Sequence, residues 1–314
     1  MDLIKSYYPK NIKIAILKRD FTEQLRKHIL SELSDKDFIQ SELHHLLKTS
    51  FYYDISYENI KLNVIPTNDV SLSILKKVIK RIYTLTQIYN IKEALNIWLV
   101  PTTQKRYFPS KGIPIQAEHI NGGYTYTLNH TIYVYRYEEF PKVLLHEVLH
   151  NSKLQITWSH EHLMELYKLL NIDTTLCEQS CKTRLQPEEA LVEVWALYYQ
   201  MMFQAYEKEK DCMELFHQEL QWSLYQSKRL LDYHQTYYQD GWQEESHAYS
   251  YIFLKTLFLY YWNDFSKITM PYTDAKLLKF IKRHLTTSNA IRNAIENSKD
   301  FNTESFRMTY FGDL

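Results

Sequence analysis

Glycine is almost missing from this chain. It occurs 5 times in 314 residues, roughly a quarter of what an average usage of about 7% would give. Folds made of many short strands need glycine at turns with positive φ. A chain without it, and with only 8 prolines, favours long helices, whose interiors exclude both residues. Turn-rich all-β, collagen-like and linker-rich architectures are excluded on the same ground. Hydrophobic residues make up 45% and charged residues 24%, ordinary values for a globular chain that buries a substantial core in one large domain or two modest ones. The 37 basic and 37 acidic residues cancel, so the charge balance points neither to nucleic acid nor to an anionic membrane. Three cysteines cannot build a disulfide framework, and an odd count fits a reducing compartment. Met1-Asp2-Leu3-Ile4-Lys5 lacks the apolar run of a signal peptide. The most apolar stretch, Tyr251 to Trp262, is interrupted by Lys255 and is too short for a bilayer. The expectation is a cytoplasmic protein without a membrane or nucleic-acid partner.

Hydrophobic periodicity predicts a strand over 11–18, a helix over 20–49 and a strand over 60–65 that Pro66 stops. A helix from Ser71 to Tyr89 and a strand from Leu95 to Val100 follow, and 102–118 reads as a loop with Pro109, Gly112 and Pro114. Asn121-Gly122-Gly123 is a turn signal, and 119–137 reads as a β-hairpin. Its Tyr124, Tyr126, Tyr133, Tyr135 and Tyr137 alternate and should split between the core and a pocket wall. The period then changes. Glu138, Glu139 and Pro141 suit the first turn of a helix that runs to about residue 152. Further helices are predicted over 187–208, 212–237 and, after a break at Gly241, about 244–263. The fold class is α+β, mainly α. Residues 1–115 form an N-terminal mixed α/β region that contributes strands to the sheet, 116–265 a central unit, and 266–314 a C-terminal helical region.

The helix after the hairpin carries His146-Glu147-Val148-Leu149-His150. Positions i and i+4 share one helix face, so both imidazoles can reach one ion. Neutral imidazole suits Zn²⁺, which in catalytic sites keeps one of its four positions for water. Glu147 is turned about 100° from His146 around the helix. It lies near that water without being a ligand, so it can take the water's proton and pass it to a leaving group. Downstream, Glu188-Glu189-Ala190-Leu191-Val192-Glu193 opens a helix behind Pro187, with Glu189 and Glu193 again at i and i+4. Ser246-His247-Ala248-Tyr249-Ser250-Tyr251 opens another, with His247 and Tyr251 on one face. Three other groups carry less. His160-Glu161-His162 has the wrong spacing for two helical ligands, Cys177 and Cys181 lack a partner pair, and His44-His45 read as surface residues.

In this order the motifs resemble the gluzincins, zinc metallopeptidases of the thermolysin type, whose second motif reads Asn-Glu-Ala-x-x-Asp. Glu189 matches the ligand of that motif. Glu193 stands where the pattern has Asp, and Glu188 where it has Asn. The segment from Asn121-Gly122-Gly123-Tyr124 through Arg136-Tyr137-Glu138-Glu139 to the first motif also resembles uncharacterised metallopeptidases of large DNA viruses. Together the matching parts cover residues 119–255 or so. The resemblance implies a zincin-like catalytic domain with a small mixed or antiparallel sheet. It also implies one Zn²⁺ held by His146, His150 and Glu189, and a peptide or protein substrate. Glu147 is then the general base, and Glu193 orients a ligating imidazole. The longer side chain of Glu193 leaves the reversed assignment, with Glu193 as ligand, open. His247 or Tyr251 would donate to the oxyanion. An extended substrate would add to the strand before the motif helix, contacting Gly122, Gly123 and Tyr124. An ordinary hairpin turn explains the two glycines equally well. The alternative function is a catalytically inactive zinc-binding module of the same fold, against which the presence of a general base, Glu147, speaks.

Overall fold

The computed structural model describes residues 1–172, 185–238 and 246–312. Cys177, Cys181 and Gly241 lie outside the described residues. Six strands form one mixed sheet: β1 (Ala15–Asp20), β2 (Phe51–Tyr57), β3 (Ile60–Val64), β4 (Leu95–Thr102), β5 (Gly123–Tyr126) and β6 (Thr131–Arg136). Their spatial order is β1-β2-β3-β4-β6-β5. The pairs β3–β4 and β4–β6 are parallel, and the other pairs are antiparallel.

Helices surround this sheet. The chain up to Leu170 contributes α1 (Asp2–Tyr7), α2 (Glu23–Glu32), α3 (Gln40–Leu46), α4 (Leu72–Tyr89), α5 (Ala117–Ile120), α6 (Phe140–Leu149) and α7 (His160–Leu170). The rest contributes α8 (Pro187–Lys208), α9 (Cys212–Tyr237), α10 (Lys255–Tyr260), α11 (Trp262–Phe265), α12 (Asp274–Thr286) and α13 (Ala290–Glu296). The chain is therefore mixed α/β with helix predominating. No helix among the described residues is long and apolar enough to cross a membrane.

Parallel pairing requires a crossover between strands. The helix α4 supplies the one from β3 to β4. The hydroxyl of Ser71 accepts the Ile74 N–H at its start, and Asn90 ends it in the left-handed conformation. Side chains of β4 and β6 alternate between two cores. Ile97, Leu99, Ile132 and Val134 join the larger core with α4, α6 and α8. Trp98, Val100, Tyr133 and Tyr135 face a smaller one with Phe21, Ile29, Leu33 and Leu43.

Several local expectations change. The helix expected over 20–49 is two helices, because Ser34-Asp35-Lys36 interrupts the apolar stripe between α2 and α3. The first strand starts at Ala15 and pairs along β2. Strand β2 escapes the periodicity reading, since no glycine or proline separates its Phe-Tyr-Tyr-Asp-Ile-Ser-Tyr from the preceding helix. The hairpin tyrosines split between core and pocket wall, but the pocket that Tyr124 and Tyr126 line lies against Glu32 and Lys36 rather than at α6. Tyr133 and Tyr135 belong to the smaller core, Tyr124 packs against it, and Tyr126 stacks edge-on to Tyr124. Tyr137 packs on Phe140. None of the five lines the cleft at α6.

The last described segment has little regular structure, apart from a bridge between Tyr107 and Ser305. Yet Phe306, Met308 and Thr309 are buried, so their backbone groups need partners. Side chains provide them. Glu139 accepts the N–H groups of Met308 and Thr309, and Glu219 accepts that of Tyr310. Lys255 donates to the Met308 carbonyl, Gln200 to that of Phe311, and Arg229 to that of Ser305. This threaded segment forms part of the cleft wall through Met308.

Candidate metal centre

The helix α6 begins abruptly. Glu139 precedes it with φ 59°, a left-handed conformation unfavourable for a residue with a Cβ. Its buried carboxylate compensates by holding the C-terminal segment and pairing with Arg106 at 2.9 Å. Glu139 therefore clamps a distant segment rather than serving the helix dipole. Every residue of α6 is buried, and the helix ends at Leu149 with His150 as its C-cap. His146 and His150 thus share the last turn, with their Nε2 atoms 3.0 Å apart.

Pro187 starts α8, which puts Glu189 in the first turn. Its Oε2 lies 3.3 Å from His146 Nε2 and 3.5 Å from His150 Nε2. A tetrahedral ion with bonds of about 2.0–2.1 Å keeps its ligand atoms about 3.3 Å apart. The triangle of donor atoms therefore fits a single cation. Among the described residues, no other group of His, Cys, Asp and Glu side chains converges in this way.

The far nitrogen of each imidazole is also engaged. His146 Nδ1 meets Glu193 Oε2 at 2.8 Å, and the other oxygen of Glu193 receives Lys142 Nζ. His150 Nδ1 meets the Gln155 side-chain amide at 2.9 Å. Such partners fix ring orientation and leave the near nitrogens for an ion. Burial opposes charge on His146, but Glu189 and Glu193 outweigh it and raise its pKa to about 10. Burial also opposes ionisation of Glu193, yet Lys142 and His146 bring it down to about 2. Glu189 is held well below the ordinary carboxylate range, against burial, by His150 and His146. The carboxylates therefore stay charged and draw positive charge to the point where the nitrogens converge. A metal ion can supply that charge in place of a proton.

Glu147 is buried beside this triangle but outside it. Thr125 on β5 donates its hydroxyl to Glu147 Oε2 at 2.7 Å and also contacts the Glu147 carbonyl at 3.0 Å. Tyr251 arrives on a π-helical turn, Tyr249–Leu254, that runs into α10. Such turns occur frequently at functional sites. Its hydroxyl donates to Glu189 Oε2 at 3.0 Å. Burial and the nearby carboxylates push that hydroxyl's pKa well above its ordinary value. His247 lies one turn earlier, its ring centre 6.1 Å from that of Tyr251, and it does not line the cleft.

No family model, curated protein or solved structure matches the chain.

The remaining expected site residues fall on two sides of β5. Gly122 and Gly123 line the cleft, and the structure gives both a packing reason. A Cβ on Gly122 would collide with Arg106 Nη2, and one on Gly123 would lie 2.8 Å from the Tyr133 carbonyl and 3.0 Å from Val143. Tyr124 turns to the opposite face, stacks on Tyr133 and donates to the Glu32 carbonyl. Among the other histidines, His162 pairs with Asp274 at 2.8 Å, and His44 and His45 end α3.

Periodicity alone misses Thr125, Lys142 and Gln155. Two of them left a signal. Lys142 sits four residues before His146, on the same face, and Thr125 sits two residues after Gly123, on the side of the strand facing α6. Gln155 follows the helix end, where no period applies.

Proposed function

We propose that this protein is a zinc-dependent peptidase of the gluzincin type, with a zincin-like fold. The observation that carries this reading is the triangle of His146, His150 and Glu189 donor atoms, with Glu147 beside it on the same helix. A zinc ion held there would polarise a scissile carbonyl and acidify the attacking water. Glu147 takes the proton from that water and delivers it to the leaving amine. Thr125 keeps the Glu147 carboxylate turned toward β5.

The strand β5 is an edge of the sheet. Tyr135 N–H donates to the Gly122 carbonyl across the hairpin. Antiparallel alternation then turns the backbone groups of Gly123 and Thr125 outward. An extended peptide laid along them reaches the triangle as an added strand. Tyr251 suits the oxyanion better than His247, since its hydroxyl already lies within the cluster.

The test is Glu147→Gln, with zinc content and hydrolysis of a broad peptide library measured on the same preparation. Zinc should remain bound while hydrolysis falls by about 10²–10⁴-fold. An unchanged rate would overturn the mechanism. Wild-type protein that binds zinc and cleaves no peptide would favour the inactive zinc-binding module instead.

A further inference from the structure

The cleft beside the triangle holds a cavity of about 40 Å³. Gly122 and Gly123 line it at the start of β5, and Arg106 and Met308 lie among the rest of its lining, which also carries the carboxylates of Glu147 and Glu193. Arg106 is only 2% exposed. Its Nε donates to the Ile120 carbonyl, and its Nη1 serves Glu138 and Glu139. Its Nη2 has no partner among the described residues, and it lies against Gly122, where any Cβ would collide with it. Arg106 is otherwise buried and lines the cavity, so an incoming oxygen can accept from this nitrogen in a charge-assisted hydrogen bond. The neighbouring carboxylates have other partners, and Glu147, which also lines the cavity, accepts the Thr125 hydroxyl. Glu139 is bound to the C-terminal segment and to Nη1, and Glu193 to Lys142 and His146.

Size narrows the ligand further. One water needs roughly 10–15 Å³ on the same scale, so the cavity holds about three non-hydrogen atoms. That is the size of a carboxylate and too small for an aromatic ring.

We propose that this cavity receives a carboxylate of the substrate next to the scissile bond, bound by Arg106 Nη2 and floored by Met308. The proposal rests on the peptidase reading above. The carboxylate comes either from a short acidic side chain or from the end of the substrate chain.

Binding to zinc-loaded Glu147→Gln protein tests this without turnover. The probes are end-blocked peptides that differ only in carrying Asp, Asn or Leu at one scanned position, and a matching peptide with a free C-terminal carboxylate. Either the Asp peptide or the free-carboxylate peptide should bind at least about tenfold more tightly than the Asn peptide, the ratio of one charge-assisted hydrogen bond. Whichever of the two wins identifies the source of the carboxylate. Arg106→Lys keeps the charge and removes Nη2, so it should abolish the ratio. If that variant fails to fold, the comparison of peptides on the arginine-bearing protein still decides. Equal binding of all four peptides, a preference for Leu, or no binding of any of them overturns the carboxylate pocket. Wild-type protein that cleaves the Asp, Asn and free-carboxylate peptides at equal rates loses this inference and keeps the peptidase reading.

Discussion

His146 stands between two carboxylates with different work to do. Glu189 approaches the nitrogen that faces the cluster, and Glu193 the nitrogen that faces away. Glu189→Gln removes a charged corner of the triangle. Glu193→Gln leaves the triangle intact and weakens only the orientation of His146, an effect of about 10–100-fold on metal affinity. Chelator competition should therefore find zinc held less tightly in Glu189→Gln than in Glu193→Gln, and the opposite order would make Glu193 the ligand. At this scale the sequence was most readable where the relevant residues share a helix. The pairs His146/His150 and Glu189/Glu193 declare themselves by i, i+4 spacing. Arg106 and Met308 reach the same cleft from a loop and from a late segment, and no local period links them to it.

Among elements, the contact between β5 and α6 depends on the absence of two side chains. Gly123→Ala would bring a Cβ to 2.8 Å from the Tyr133 carbonyl and 3.0 Å from Val143. Overpacking of this kind costs about 1–3 kcal/mol, which chemical denaturation of metal-free protein should register. A second junction, between α7 and α12, depends on pH. Asp274 accepts the Ser159 N–H and pairs with His162. Burial raises the Asp274 pKa, but the bonds from Ser159 and His162 outweigh it and bring the carboxyl to about 2. The hydrogen bond to Asp274 in turn raises His162. The contribution of Asp274 is complete above its ordinary value of 3.8 and is lost as pH falls toward 2. That of His162 is complete below its ordinary value of about 6.5 and is lost as pH rises through its elevated one. Asp274→Asn should therefore lower the melting temperature most between about pH 4 and 6.5, and the gap should close near pH 2. A gap that stays constant across this range would rule the pair out. Long elements such as α8 and α9 were readable because their apolar stripes run for many turns. The junction of α2, α3 and β2 was not, because helix and strand meet there without glycine or proline to mark the boundary.

For the whole molecule, scarce glycine correctly signalled a helix-rich chain. It did not reveal where the chain crosses itself. Gly122 adjoins Arg106, Gly312 adjoins Glu139, and Arg106 pairs with Glu139. Gly122 and Gly312 therefore mark the crossing of the hairpin, α6 and the C-terminal segment. Deleting residues after 304 would strip Glu139, Glu219 and Lys255 of bonds they make to that segment. Uncompensated buried charge costs about 3–5 kcal/mol, so urea should unfold the truncated chain at a clearly lower midpoint. An unchanged midpoint would show that the segment is only laid on the surface. The threading has a further consequence during synthesis. A ribosome delivers His146, His150 and Glu189 long before Met308. The nascent chain can thus bring these three side chains together while one wall of the cleft has not yet been made. Translation itself separates the assembly of the centre from the closing of the groove around it.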